Sequence, residues 1–147
     1  MTSSDLQNLY QELILDHSRT PHGFGLRDEI KAQSHQLNPT CGDEITLQVH
    51  TAPDGTVEAI AWEGHGCAIS QASASLFADL VEGMTVPETQ KRIDVFREAM
   101  RSRGKIEPDE ELLGDAAALG SVSKYVARVK CAMLAWVAAE DALRKLD

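Results

Sequence analysis

Apolar and polar positions alternate between residues 44 and 62, and through most of the remaining chain they recur every three or four residues. From Glu44 to Val49, Ile45, Leu47 and Val49 fall on one side of an extended chain, and Thr46 and Gln48 fall on the other. The stretch APDGT at 52–56 is a turn signal, and the spacing predicts a returning strand over 57–62. Strands joined by so short a turn are antiparallel. Residues near 31–37 are expected to add a third strand at the edge.

Helical periods surround this small sheet. Leu6, Leu9, Tyr10, Leu13, Ile14 and His17 predict a helix over 4–17, capped by Ser3 or Ser4. Ile69, Ala72, Leu76 and Leu80 mark a stripe over 68–80. Ile93, Phe96 and Met100 mark another over 86–100, with Thr85 and Pro87 at its start. The segment 101–110, broken by Gly104 and Pro108, reads as a loop, and a long helix is expected over 123–145. Strands followed by helices point to a single α+β domain over 1–147, a three-stranded antiparallel sheet with helices packed on one face.

Composition narrows the function. A net charge of −9 argues against nucleic acid or an anionic membrane surface as partner. No apolar run approaches the roughly 20 residues of a membrane span, and the first ten residues lack the basic and apolar regions of a signal peptide. A cytoplasmic location is therefore expected. The three cysteines are an odd number, which suits metal binding or catalysis better than a disulfide framework.

Cys41 stands in NPTCGDE, two residues before Asp43, so an extended chain points both side chains the same way. Cys67 ends EGHGC, where Gly64 and Gly66 suggest a tight strand-to-helix turn that would put its sulfur at a helix N-terminus, a place that favours thiolate. Cys131 follows ARVK inside the last helix, off the stripe of Val129, Met133 and Trp136. Three thiolates and one carboxylate suffice for tetrahedral Zn2+ and equally suit a two-iron cluster. The site would be net negative, and Arg128, three residues before Cys131 on the same helix face, is placed to offset part of that charge. The blander reading is that all three cysteines are small buried hydrophobes, since their spacing matches no short zinc-finger pattern. His65 is left outside the ligand set, and the five histidines are read as structural.

NPTCGD (38–43), EGHGCAISQASAS (63–75) and ARVKCAMLAW (127–136) together resemble the SufU-type proteins, relatives of the IscU and NifU N-terminal scaffolds of iron–sulfur cluster assembly. LYQELILDH (9–17) resembles that family's first helix, so the resemblance spans nearly the whole chain. It implies a SufE/IscU-like α+β sandwich. It implies zinc held by Cys41, Asp43, Cys67 and Cys131, with Cys41 accepting persulfide sulfur from a SufS-like cysteine desulfurase for a downstream assembly scaffold. Lys130 stands where IscU-like scaffolds usually carry histidine, as in the SufU branch, and 101–120 resembles that branch's extra segment. Val126 replaces a proline common in relatives, from which a more regular helix entry is expected.

The chain shows no Gly-rich phosphate loop, pyridoxal apparatus or paired-carboxylate signature. Release of sulfur from a small molecule is therefore expected of the partner. Two other readings stand beside sulfur transfer: a scaffold building a [2Fe-2S] cluster on the same residues, and an interaction domain with a purely structural zinc.

Overall fold

The computed structural model describes residues 3–29, 32–39 and 42–146, and side chains from residue 11 onward within those ranges. The elements are helix α1 (Ser3–Arg19), strands β1 (Ala32–Asn38), β2 (Asp43–Thr51) and β3 (Val57–His65), and helices α2 (Ala68–Val81), α3 (Val86–Arg101), α4 (Glu110–Leu113) and α5 (Val126–Arg144). A 3₁₀ segment, Gly114–Lys124, joins α4 to α5.

The sheet has the order β1-β2-β3, antiparallel throughout, so β1 is an edge strand as its position suggested. Alternation sends Ile45, Leu47 and Val49 of β2 into the core with Ile60 and Trp62 of β3. Helices cover that face: α5 packs on β1 and β2, α2 packs on β3, and α1 lies on α2. Trp136 of α5 centres this layer. Its ring stacks on Phe96 at 3.9 Å between centroids and meets Phe77 edge-on at 4.7 Å.

The opposite face of β2 is polar, yet Gln48 is buried there. Its side-chain carbonyl accepts from Arg27 N–H at 3.0 Å, and its amide donates to Arg27 O at 3.1 Å and to Gln33 Oε1 at 3.0 Å. The segment after α1 is thus strapped over the outside of the sheet. It also covers part of the free edge of β3, where Gly25 N–H donates to Trp62 O and Trp62 N–H donates to Gly23 O. Gly23 fills this place because its φ of 78° favours glycine, and an added Cβ would come within 2.5 Å of Ile60 O.

Three expectations are corrected, and one unassigned stretch is filled. Ser3 and Ser4 already lie within α1 and are not its caps. The strand β3 runs on through Gly64 to His65, so Gly64 belongs to the sheet rather than to a turn; its bare Cα lets β2 approach closely at Glu44 and Ile45. Residues 111–122, to which the sequence pattern assigned no element, are helical as part of α4 and the 3₁₀ segment. The last helix begins at Val126 after the extended Tyr125, and its buried face runs through Cys131, Ala132, Ala135, Trp136, Ala138, Ala139 and Ala142, not through the half-buried Val129 and Met133. Small alanines let α5 sit close to the sheet. By contrast, α3 starts as its residues predict: Thr85 and Glu88 form a reciprocal capping box, with proline in the first turn. Among the described residues no helix is long and apolar enough to cross a membrane.

Candidate metal centre

Three elements converge at one end of the sheet. Asp43 opens β2, Cys67 is the residue before α2, and Cys131 lies in the second turn of α5. One carboxylate oxygen of Asp43 and the sulfurs of Cys67 and Cys131 all lie within 4.8 Å of one another. Asp43 is 1 % exposed and Cys131 5 %, while Cys67 is half-buried.

Each placement has a local cause. The hairpin between β1 and β2 pairs Asn38 with Asp43, and Gly42, at φ 74°, donates its N–H to Asn38 O at 2.8 Å. That turn delivers Asp43 into the ladder with its side chain on the helix-facing side. Cys67 adopts φ −71° and ψ 169°, the extended geometry of a residue entering a helix. Its N–H donates to Asp43 Oδ1 at 3.1 Å, so the buried carboxylate helps to fix the start of α2. Ser70 Oγ returns a bond to Cys67 O at 3.0 Å and closes the first turn. Gly66 is required between them, because a Cβ there would meet the Asp43 carboxylate, with Cγ at 2.8 Å, and Ser70 Oγ as well.

The helices carrying the two cysteines are tied together below the site. Ser73 Oγ of α2 donates to Ala132 O of α5 and accepts from Trp136 Nε1–H at 2.8 Å. All of these groups are buried. The separation of Cys67 from Cys131 is thereby set by a rigid contact rather than by a loop.

The donor set fits a borderline divalent ion such as Zn2+. Two sulfurs on one tetrahedral ion stand roughly 3.8 Å apart for metal–sulfur bonds of about 2.3 Å. The donor atoms here already lie close to that spacing, and small side-chain rotations close the remainder. A carboxylate so fully withdrawn from water is accounted for when it is both hydrogen-bonded and set to ligate a cation.

Of the residues singled out in the sequence, Asp43, Cys67 and Cys131 are brought together. Cys131 was placed off the buried face of its helix; it lies at the N-terminal end of that face, pointed at the other two. Cys41 lies outside the described residues. Arg128 is exposed on α5, one turn before Cys131. Sequence reasoning placed Gly66 in the strand-to-helix turn but not against Asp43, and it missed Ser70 and Ser73, which also position the site. The serines carry no signal of their own in the sequence.

The model of the NifU-like N terminal domain matches residues 9–144. The iron–sulfur cluster assembly scaffold protein IscU of Streptococcus pyogenes serotype M1 is 40% identical over 146 residues, covering 99% of this chain and 89% of that protein. The zinc-dependent sulfurtransferase SufU of Bacillus subtilis (strain 168) is 39% identical over 144 residues, covering 97% of this chain and 95% of that one. A crystal structure described as a putative iron–sulfur cluster assembly scaffold protein for the SUF system, from Fervidobacterium islandicum AW-1, superposes with a TM-score of 0.80 at 32% identity, covering 97% of this chain and 99% of that one.

Proposed function

We propose that this chain, which belongs to the NifU-like N-terminal domain family, is a zinc-dependent sulfur-transfer protein of iron–sulfur cluster assembly. The observation that carries the reading is the convergence of Asp43, Cys67 and Cys131 from three elements onto one point. With Cys41, two residues before Asp43 in the chain, they make the four ligands.

Zn2+ held there supplies positive charge that keeps the cysteines as thiolates at neutral pH. The chain's own residues do the rest. Asp43 and the first turn of α2 hold Cys67, α5 holds Cys131, and Cys41, in the chain between β1 and β2, is the residue that meets the partner. The Cys41 thiolate attacks the terminal sulfur of a persulfide on a SufS-like cysteine desulfurase. A new sulfur–sulfur bond forms at Cys41, the donor's sulfur–sulfur bond breaks, and the donor cysteine leaves as thiolate. The loaded Cys41 then serves a downstream iron–sulfur assembly scaffold, in the cytoplasm. Arg128 offsets part of the negative charge of the site from one turn away.

A second reading is supported by the name of the Streptococcus relative: a scaffold that builds a [2Fe-2S] cluster on the same residues. Lys130, immediately before Cys131, favours sulfur transfer, because by family resemblance a cluster scaffold carries histidine there. The remaining reading, an interaction domain with a structural zinc, gives Cys41 no exchange role.

Cysteine variants separate the readings, with the desulfurase and free cysteine supplied. Cys41→Ala is expected to keep most of its zinc and its fold and to take up no sulfur, since water or a shifted Asp43 oxygen fills the vacated position. Cys67→Ala and Cys131→Ala are expected to lose zinc and melting temperature together. Arg128→Ala is expected to retain the fold with modestly weaker zinc retention or slower transfer. Iron and sulfide in freshly purified protein would favour the cluster scaffold. Sulfur uptake by Cys41→Ala, without uptake by zinc-loaded Cys67→Ala, would move the acceptor to Cys67.

A further inference from the structure

Strand β1 and helix α5 run beside each other, and the two ends of their contact differ. At the end away from the candidate centre they are bonded together. Ser34 Oγ donates to Asp141 Oδ2 at 2.7 Å, and Lys145 Nζ donates to Gln33 O at 2.8 Å. Towards the candidate centre they leave an open groove of about 320 Å3. Leu37 and Pro39 line one side of it, and Lys130, Met133, Leu134 and Val137 of α5 line the other. Leu37 is 55% exposed and Val137 38%, so both present apolar surface that the core does not take up.

The charge around this groove is the reverse of the chain's. The chain carries 23 acidic residues against 14 basic ones, yet residues 30–42 and 116–139, which supply both walls, hold no aspartate or glutamate. Among the described lining residues the single charge, Lys130, is positive. The groove also opens beside the cysteines. Pro39 stands two residues before Cys41, Lys130 stands one before Cys131, and Asn38 pairs with Asp43.

We propose that this groove seats the segment of the cysteine desulfurase that carries its persulfide, with an apolar side chain entering between Leu37 and Val137 and an acidic neighbour meeting Lys130. The inference rests on the sulfur-transfer reading. Attack by Cys41 requires the donor sulfur to be held in line with the thiolate, so its carrier has to be bound at a fixed place beside residue 41. Charge selects the occupant. A second copy of this chain brings the same cations and no acid to a symmetric contact, whereas an acidic segment is complementary.

Binding of the desulfurase, without free cysteine, is measured by titration calorimetry against zinc-loaded variants. Val137→Asp and Lys130→Glu are each expected to raise the Kd at least tenfold. Both are expected to keep their zinc and to load Cys41 from inorganic polysulfide, which needs no docking, as the unsubstituted protein does. Phe24→Asp, against β3 on the opposite edge of the sheet, is expected to leave the Kd unchanged. The groove assignment is overturned, and the sulfur-transfer reading left standing, if the desulfurase loads the unsubstituted protein while both groove variants bind it undiminished, or if Phe24→Asp weakens binding as much as they do. A chain that sediments as a dimer, with Val137→Asp monomeric, gives the groove to a second copy and also overturns the assignment. If the desulfurase neither binds nor loads the unsubstituted protein, the sulfur-transfer reading fails and the groove assignment falls with it.

Discussion

Ser73→Ala removes a single oxygen between the two helices that carry Cys67 and Cys131. In the structure that hydroxyl donates to Ala132 O and accepts from the indole N–H of Trp136, which is 0% exposed. Losing the donated bond costs about 1 kcal/mol, and leaving the indole N–H without a partner costs about 1–3 kcal/mol. Alanine returns about 0.5 kcal/mol of helix propensity. The net loss is about 1.5–3.5 kcal/mol. With an unfolding entropy of about 2.1 cal/mol/K per residue over 147 residues, that lowers the melting temperature by roughly 5–11 K. Thermal unfolding followed by circular dichroism reads the shift. A cycle with Trp136→Phe isolates the cause, because phenylalanine has no N–H to strand. In that background Ser73→Ala should cost about 1–3 kcal/mol less. A shift within about 1 K, or equal costs in both backgrounds, would refute the claim that this bond ties α2 to α5.

Two further outcomes follow from the same geometry. Gly66→Ala should displace the Asp43 carboxylate and Ser70, so zinc per chain should fall while the sheet signature in far-ultraviolet circular dichroism persists; full zinc retention would show that Asp43 is not needed in its observed position. His17 is buried with Nδ1 2.7 Å from Ser75 Oγ, and burial followed by the neighbouring His22 holds its pKa below the ordinary value of 6.5, against the opposing pull of Asp79, Asp115 and Asp16. The unfolded chain then takes up the His17 proton more readily than the folded one, so this contribution is present above about pH 6.5 and is lost as pH falls through the lower folded value. Melting temperatures between pH 7.5 and 5.5 should fall more steeply in the unsubstituted protein than in His17→Asn, and parallel slopes would remove His17 from the account.

The legible parts of the fold were those where one short segment contains its own cause. Alternation at 45–49 and the APDGT turn specify the β2–β3 hairpin, and Thr85 with Pro87 marks the start of α3. Where burial comes from distant partners, the local pattern misleads. The face of α5 is made of alanines, which carry too little hydrophobic contrast to mark a stripe, so the bulkier Val129 and Met133 drew the assignment away from it. Gln48 reads as a solvated strand position because nothing near it announces the strap from Arg27. Residues 111–122 carry too many small and polar groups to show a helical period.

The candidate site was legible for a different reason. Each of its described ligands sits in a motif with a turn or helix start beside it, and the resemblance joined motifs whose spacing alone matched nothing. What holds them in place was not legible. The Cys67–Asp43 bond, the close approach at Gly66 and the Ser73 bridge all join positions far apart in the chain.

X-ray absorption at the zinc edge of the freshly purified, unsubstituted protein tests the central claim most directly. The account predicts about one zinc per chain, with a first shell of three sulfurs near 2.3 Å and one oxygen near 2.0–2.2 Å. A first shell of nitrogen and oxygen alone, or protein that carries no zinc and retains none when zinc is supplied, would contradict it.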